Sequence, residues 1–129
     1  MSNAVNKYGR LVDSLLNKTK EGSIPWDYES LRSTVSVWNK SNVLLTIKRD
    51  LDENFDELYV VSLINKSGDT LEYFNDTALS ALNNFGEGES YFEKLQSLYE
   101  LARRQATGAD KALDEFIRAI EEESLDHPF

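Results

Sequence analysis

The sequence predicts a single α+β domain over residues 1–129, with an N-terminal helix, a four-stranded antiparallel meander sheet and a C-terminal helical pair. Three observations lead to this fold class. Apolar residues recur every three or four positions near the N-terminus, alternate with polar residues in the middle of the chain, and return to helical spacing after Ser90. The predicted strands have short connections, which favour an antiparallel meander because parallel βαβ units need longer crossovers.

We predict the first helix over residues 5–20. Its apolar stripe consists of residues three or four positions apart: Tyr8, Leu11, Val12, Leu15 and Leu16. Gly22 can adopt the left-handed conformation that ends a helix. An extended linker follows, because the residue before Pro25 is biased away from helix. We expect Trp26, next in the chain, to fill the edge of the core.

Four segments with a strand pattern come next, at residues 31–38, 42–49, 57–64 and 70–75. In the first of them Leu31, Val35 and Val37 alternate with polar residues, so we expect these three side chains to share the core face. The third segment is apolar on both faces, which is typical of a central strand covered on both sides. The N-terminal helix and the C-terminal pair can supply the two covers, and a second subunit is the alternative.

Three further helices are predicted, at residues 77–83, 91–106 and 109–122. Asp76 can cap the first of these. Ser90 and Glu93 form an S-x-x-E capping box at the start of the second, and Gly108 is a hinge between the second and the third. The last helix has an apolar stripe at helical spacing: Leu113, Phe116, Ile117 and Ile120. We expect the last two helices to cover one face of the sheet.

The net charge of −9 is unevenly distributed along the chain. Residues 1–49 carry eight Lys/Arg and four Asp/Glu, a net +4, whereas residues 50–129 carry six Lys/Arg and 19 Asp/Glu, a net −13. Such a surface repels nucleic acid and anionic lipid and attracts a basic protein partner. The chain has no Cys and no apolar run near the roughly 20 residues that span a bilayer. We therefore expect a cytoplasmic protein that binds neither nucleic acid nor membrane.

The sequence lacks the complete motifs of several classes of metal and catalytic sites. A calcium-loop spacing occurs at Asp50, Asp52, Asn54 and Asp56. However, Phe55 and Val61 stand where such a loop needs its Gly and its bidentate Glu. The one histidine, His127, has no partner nearby in sequence for acid–base catalysis. Nucleophile-elbow, phosphate-loop and HExxH motifs are missing from the sequence, so we predict a protein that is not an enzyme, with no catalytic residue, no metal and no cofactor.

Two groups of residues are candidates for binding a ligand or a partner. The first is Arg103 and Arg104 with Tyr99, because guanidinium groups can clamp a carboxylate or a phosphate. The two arginines also offset the helix dipole at that end, which is the structural alternative. The second group is an acidic hairpin loop that can attract a basic partner, formed by Asp52, Glu53, Asp56 and Glu57.

Residues 17–26 (NKTKEGSIPW), 98–106 (LYELARRQA) and 109–113 (ADKAL) also carry a family likeness. Together they resemble a group of small uncharacterised bacterial and phage-borne proteins. Those proteins join a Lys-Thr, Gly-x-Ile-x-Trp entry to a few strands and a Leu-Tyr-x-x-Ala-Arg-Arg helix. The resemblance covers both ends of the chain and not its middle. It implies a phage-related bacterial accessory protein and transfers no activity to any residue.

These observations lead to one functional hypothesis and two alternatives. The first is a non-catalytic protein-binding module, of the immunity, inhibitor or anti-defence type, whose acidic surface engages a basic partner. The second is a small-molecule or nucleotide sensor with a site between the sheet and the C-terminal helices. The third is a DNA mimic, which needs two rows of carboxylates at phosphate-like spacing. The sequence leaves a homodimer open.

Overall fold

A computed structural model describes residues 3–80 and 90–126 of the chain. It has an N-terminal helix, an antiparallel sheet and C-terminal helices, which confirms the predicted α+β class. The helices are α1 (Asn3–Lys20), α2 (Asp76–Ser80), α3 (Tyr91–Thr107) and α4 (Ala109–Glu121). The strands are β1 (Asp27–Glu29), β2 (Thr34–Trp38), β3 (Leu44–Leu51), β4 (Glu57–Ile64) and β5 (Thr70–Asn75). Residues 81–83 of the helix predicted at 77–83 lie outside the described residues, as does His127.

Over the described residues the sheet has five strands in the order β1-β2-β3-β4-β5, so the prediction of four was wrong. The additional strand is β1, which pairs with β2 and places Tyr28 opposite Val35. Its three residues include two acids, too few and too polar to give a strand signal. The strand predicted at 31–38 begins at Thr34 because the preceding residues form the β1–β2 turn. Leu31 lies in that turn and is 95% exposed, so it does not share the core face.

The two faces of the sheet differ in cover. The face packed by helices, here called the covered face, carries buried side chains from β2 to β5: Val35, Leu45, Ile47, Tyr59, Val61 and Phe74. On α1, Tyr8 stacks on Phe74 with ring centroids 4.3 Å apart. Leu79 of α2 is part of the same core. In the described part of the chain, the packed helices thus lie on this face.

The opposite face, here called the open face, retains partly exposed apolar residues. Trp38, Leu44 and Ile64 form a row across β2, β3 and β4. The third predicted strand is β4, which lies inside the sheet between β3 and β5, as expected of a strand apolar on both faces. In the described part of the chain the expected cover on the second face is missing, and the open-face residues Leu58 and Val60 are only half-buried.

The ends of α1 and α3 are joined by a buried polar cluster around Thr19. The Trp26 indole Nε1–H donates a hydrogen bond to Thr19 Oγ1 at 3.0 Å, and both residues are buried. Gln105 Nε2 of α3 donates to the Thr19 carbonyl oxygen at 2.6 Å. Trp26 therefore fills the edge of the core as the sequence indicates, and its position is fixed by a hydrogen bond as well as by packing.

Farther along the same interface, α1 and α3 approach closely at Gly9. A Cβ at this position would lie 2.6 Å from the Tyr91 hydroxyl oxygen, so the missing side chain permits the approach. On the neighbouring turns, Lys94 Nζ donates to Asp13 Oδ1 at 2.9 Å. Small size at Gly9 and this ion pair align the two helices.

The C-terminal helices differ in their packing. The capping box at the start of α3 is present, with Ser90 Oγ accepting from the Glu93 N–H at 3.1 Å. Gly108 has a φ of 73° and separates α3 from α4. The close neighbour of α4 is α3, and none of the α4 residues is buried. The expectation that the helical pair covers the sheet therefore holds for α3 and is wrong for α4, because α1 and α3 already occupy the covered face.

Candidate protein-binding surface

The apolar stripe of α4 is exposed to solvent. Leu113, Phe116, Ile117 and Ile120 are each between 51% and 60% exposed. They occupy relative positions i, i+3, i+4 and i+7, which fall on one side of an α-helix. Because α4 has 13 residues, this stripe is part of a helix about 20 Å long. We call it the α4 stripe.

One border of the α4 stripe is acidic. Asp110, Asp114 and Glu121 follow one another at helical spacings of four and seven, on the same side of the stripe. All three are exposed. Lys111 and Arg118 lie farther round the helix, beyond this acidic row. A partner that covers the stripe therefore meets carboxylates along one of its edges.

A groove of about 490 Å³ lies where α3 meets α4, with Arg103 and Arg104 on one wall and Leu113 and Phe116 on the other. Arg103 Nη2 donates to Glu100 Oε2 at 2.8 Å, and this hydrogen bond raises the pKa of Arg103. Arg104 also lines a second groove of about 490 Å³, which runs beside Trp26 and Lys111. Arg104 thus lines grooves on both sides of the α3–α4 junction, and in the second groove it is accompanied by Asp110 and Asp114.

Tyr99 is not part of that surface. It is 2% exposed, and its ring packs against Tyr59 and Tyr28 with centroid distances of 5.5 Å and 6.4 Å. Burial, followed by a hydrogen bond to Tyr28, raises the pKa of Tyr99 to about 12. The structure therefore keeps Arg103 and Arg104 together at the surface and places Tyr99 in the core.

The acidic hairpin loop joins β3 to β4 and is organised by its own side chains. Asp52 Oδ1 accepts hydrogen bonds from the backbone N–H groups of Asn54 at 2.8 Å and of Asp56 at 3.0 Å. Glu57 accepts from the Tyr59 hydroxyl at 2.5 Å and pairs with Arg49 at 3.6 Å. Glu53 is exposed in the same loop. The loop and the arginine doublet therefore belong to different elements, and Asp52 supports the turn.

Within residues 3–80 and 90–126, no three His, Cys, Asp or Glu side chains are grouped so that they could hold a metal ion. No helix in these ranges is long and apolar enough to cross a bilayer.

The α4 stripe is the surface that sequence reasoning missed, because a stripe at helical spacing has the same pattern whether it packs inside the molecule or not.

The chain matches no protein-family model, no curated protein and no solved structure. The resemblance to small bacterial and phage-borne proteins therefore stays a prediction.

Proposed function

We propose that this protein is a non-catalytic protein-binding module and that α4 is its binding element. The observation that carries the proposal is the α4 stripe, an amphipathic helix whose apolar side chains are more than half exposed. The partner is a protein with an apolar groove or face bordered by Lys and Arg. An immunity, inhibitor or anti-defence role in the bacterial cytoplasm fits this mode of action.

Helix stability supports this assignment. Isolated helices shorter than about 12–15 residues are marginal in water, because nucleation is costly and most helical stability comes from packing an apolar face. The 13 residues of α4 contribute no buried side chain. A partner that covers the α4 stripe supplies the missing packing, so binding and helix stabilisation are coupled.

The spacing of the α4 stripe matches a known recognition mode. Amphipathic helices that bind in a hydrophobic groove use anchors at positions i, i+3, i+4 and i+7, which Leu113, Phe116, Ile117 and Ile120 provide. Phe116 is the aromatic anchor of the set, and aromatic side chains carry much of the energy in many interfaces. The acidic row beside them selects for a basic partner and speeds its association.

The test begins with affinity capture from the native host, identification of the captured protein, and titration of the two purified proteins by calorimetry. Phe116→Gln is expected to weaken binding at least about tenfold, the effect of losing about 1.4 kcal/mol. Leu31→Gln is the control, because Leu31 is also a large apolar residue, 95% exposed, but lies in the β1–β2 turn, outside the proposed surface. Equal binding by the wild type and Phe116→Gln would refute the role of α4.

The same titration measures the contribution of the acidic hairpin loop. Charge reversal at four positions is expected to lower the association rate: Asp52, Glu53, Asp56 and Glu57. The rate of this variant should also depend less on salt concentration than the rate of the wild type. If the affinity and the association rate stay at their wild-type values, the loop is not part of the binding surface and α4 alone is the binding element.

An anion sensor is a second candidate, because one groove brings Arg104 and Lys111 together beside Trp26; Asp110 and Asp114 line the same groove, so an anion would have to bind on its cationic side. The space between the sheet and α3 is filled by tyrosine rings, so a ligand would bind at the α3–α4 junction. A rise in melting temperature with nucleotides or inorganic phosphate, lost in Arg104→Gln, would support this function. For the DNA-mimic alternative, the described surface of α4 gives one row of three carboxylates where two rows are needed.

A further inference from the structure

The open face of the sheet is a second apolar surface without a cover in the described part of the chain. Its row of Trp38, Leu44 and Ile64 runs across three strands, and Tyr73 lies in the adjacent row on β5. Trp38 is 54% exposed and Tyr73 is 71% exposed. Contiguous apolar surface of this kind marks interaction sites in soluble proteins.

The charges at this end of the open face are complementary to α4. Lys40 lies in the β2–β3 turn, next to Trp38, and Lys66 lies in the β4–β5 turn, next to Ile64; both are exposed. Asp69 shares the turn with Lys66. Asp27 lies on the open face in the row of Tyr73, next to the apolar row, whereas Glu29 and Asp50 lie in rows farther from this end. The turns at this end of the apolar row therefore carry two lysines and one aspartate.

We propose that the α4 stripe of one copy docks on the open face of a second copy, with its acidic row beside Lys40 and Lys66. This inference rests on the proposed function of α4 as a binding helix and identifies one partner as the chain itself. Each copy donates one α4 and accepts another, which gives a reciprocal dimer with two-fold symmetry.

The area available requires both contacts. About half of four large side chains, at roughly 150–200 Å² each, gives about 300–400 Å² on α4, and Trp38 and Tyr73 add about 250 Å² on the sheet. One docking event thus buries about 600 Å², far less than the roughly 1,200–2,000 Å² of a specific interface. Two reciprocal events bury about 1,200 Å². The dimer therefore lies at the low end of the standard size and should dissociate on dilution.

Pairing of α4 with α4 of a second copy would cover less of the exposed apolar surface than docking on the open face does. It brings two helices with acidic borders together, leaves the open-face row exposed, and uses one contact instead of two. Docking on the sheet places carboxylates beside lysines and covers both apolar surfaces at once. Charge complementarity and buried area thus favour the same arrangement.

The test is the oligomeric state of the full chain, measured by sedimentation equilibrium over a wide range of concentrations. We expect a reversible dimer whose dissociation constant rises at least about tenfold in both Phe116→Gln and Trp38→Gln, whereas the Leu31→Gln control stays at the wild-type value. Lys40→Glu with Lys66→Glu weakens the dimer, as does Asp114→Lys with Glu121→Lys. Combining all four charge changes in one chain restores it.

Other results would overturn this inference in recognisable ways. A dimer that is sensitive to Phe116→Gln and insensitive to Trp38→Gln indicates α4–α4 pairing. A monomer in which the α4 amides are protected from hydrogen exchange indicates that α4 folds back on its own chain. A monomer with unprotected α4 amides refutes the second copy as occupant and leaves the proposed binding of another protein to be tested by its own titration.

Discussion

Replacing Thr19 with Val removes one buried hydrogen bond and changes little else. Thr and Val have nearly the same shape and are both β-branched, so their helix propensities are similar. In the variant, the Trp26 Nε1–H loses its acceptor at 3.0 Å and stays buried. An unsatisfied buried donor costs about 1–3 kcal/mol, and burying a methyl group in place of the hydroxyl offsets up to about 0.8 kcal/mol. We expect Thr19→Val to lower the free energy of unfolding by about 1–2 kcal/mol.

Urea denaturation followed by far-UV circular dichroism and by tryptophan fluorescence measures this change. Thr46→Val is the control, because Thr46 lies on the open face of β3 and is not buried. Its effect should stay within about 0.5 kcal/mol. The same two substitutions in a Trp26→Phe background complete a double-mutant cycle.

The cycle separates the hydrogen bond from other effects of the substitution. If the indole N–H is the cause, Thr19→Val costs less in the Trp26→Phe background, because the donor is gone. An equal cost in both backgrounds would refute the reasoning. It would then indicate that the destabilisation comes from strain at the end of α1.

Three further predictions concern stability. Gly9→Ala in a Tyr91→Phe background should raise the free energy of unfolding by at most about 0.5–1 kcal/mol through helix propensity, because the ring Cζ, 3.3 Å from the new Cβ, must still shift slightly. The gain should be smaller with Tyr91 present, since its hydroxyl lies 2.6 Å from that Cβ; equal gains in urea titrations would contradict the clash. Gly108→Ala should cost about 1 kcal/mol because φ is 73° at this position. The control is Ala112→Gly at an exposed position of α4, which acts through helix propensity and should leave the amides at the end of α3 unchanged in hydrogen exchange. Burial raises the pKa of Tyr99 from 10.0 to about 12. As the pH rises, Tyr99 therefore loses its hydroxyl proton first in the unfolded state. Its contribution to the free energy of unfolding is complete below pH 10 and declines by about 2–3 kcal/mol as the pH rises to about 12. Tyr99→Phe should flatten this part of the stability–pH curve, and an unchanged slope would show that other groups cause it.

Much of the architecture followed from periodicity. The stripe of α1, the alternation in β3 and the capping box of α3 are local signals, because each depends on residues a few positions apart. β1 could not be found in this way, since a three-residue strand with two acids exists only through its pairing with β2.

The exposure of the candidate site residues could not be predicted from periodicity. Tyr99 and Arg103 lie one turn apart on α3, yet Tyr99 packs in the tyrosine cluster whereas Arg103 lies at the surface. The stripe of α4 carries the periodicity of a packed helix, and its exposure becomes visible only when α1 and α3 are seen to occupy the covered face. Sequence patterns identify which side of an element is apolar, whereas the partner of that side depends on the whole fold.

The short strand β1 has a consequence for solubility. An unpaired sheet edge is a template for association with other chains, and proteins protect it with short strands and charged residues. β1 has three residues, and Asp27 and Glu29 carry like charges at this edge. Removing it would expose the backbone of β2, a longer and more apolar strand that contains Val35 and Val37. A deletion of Asp27–Glu29 should therefore lead to fibrous or amorphous aggregation at concentrations where the intact chain stays in solution.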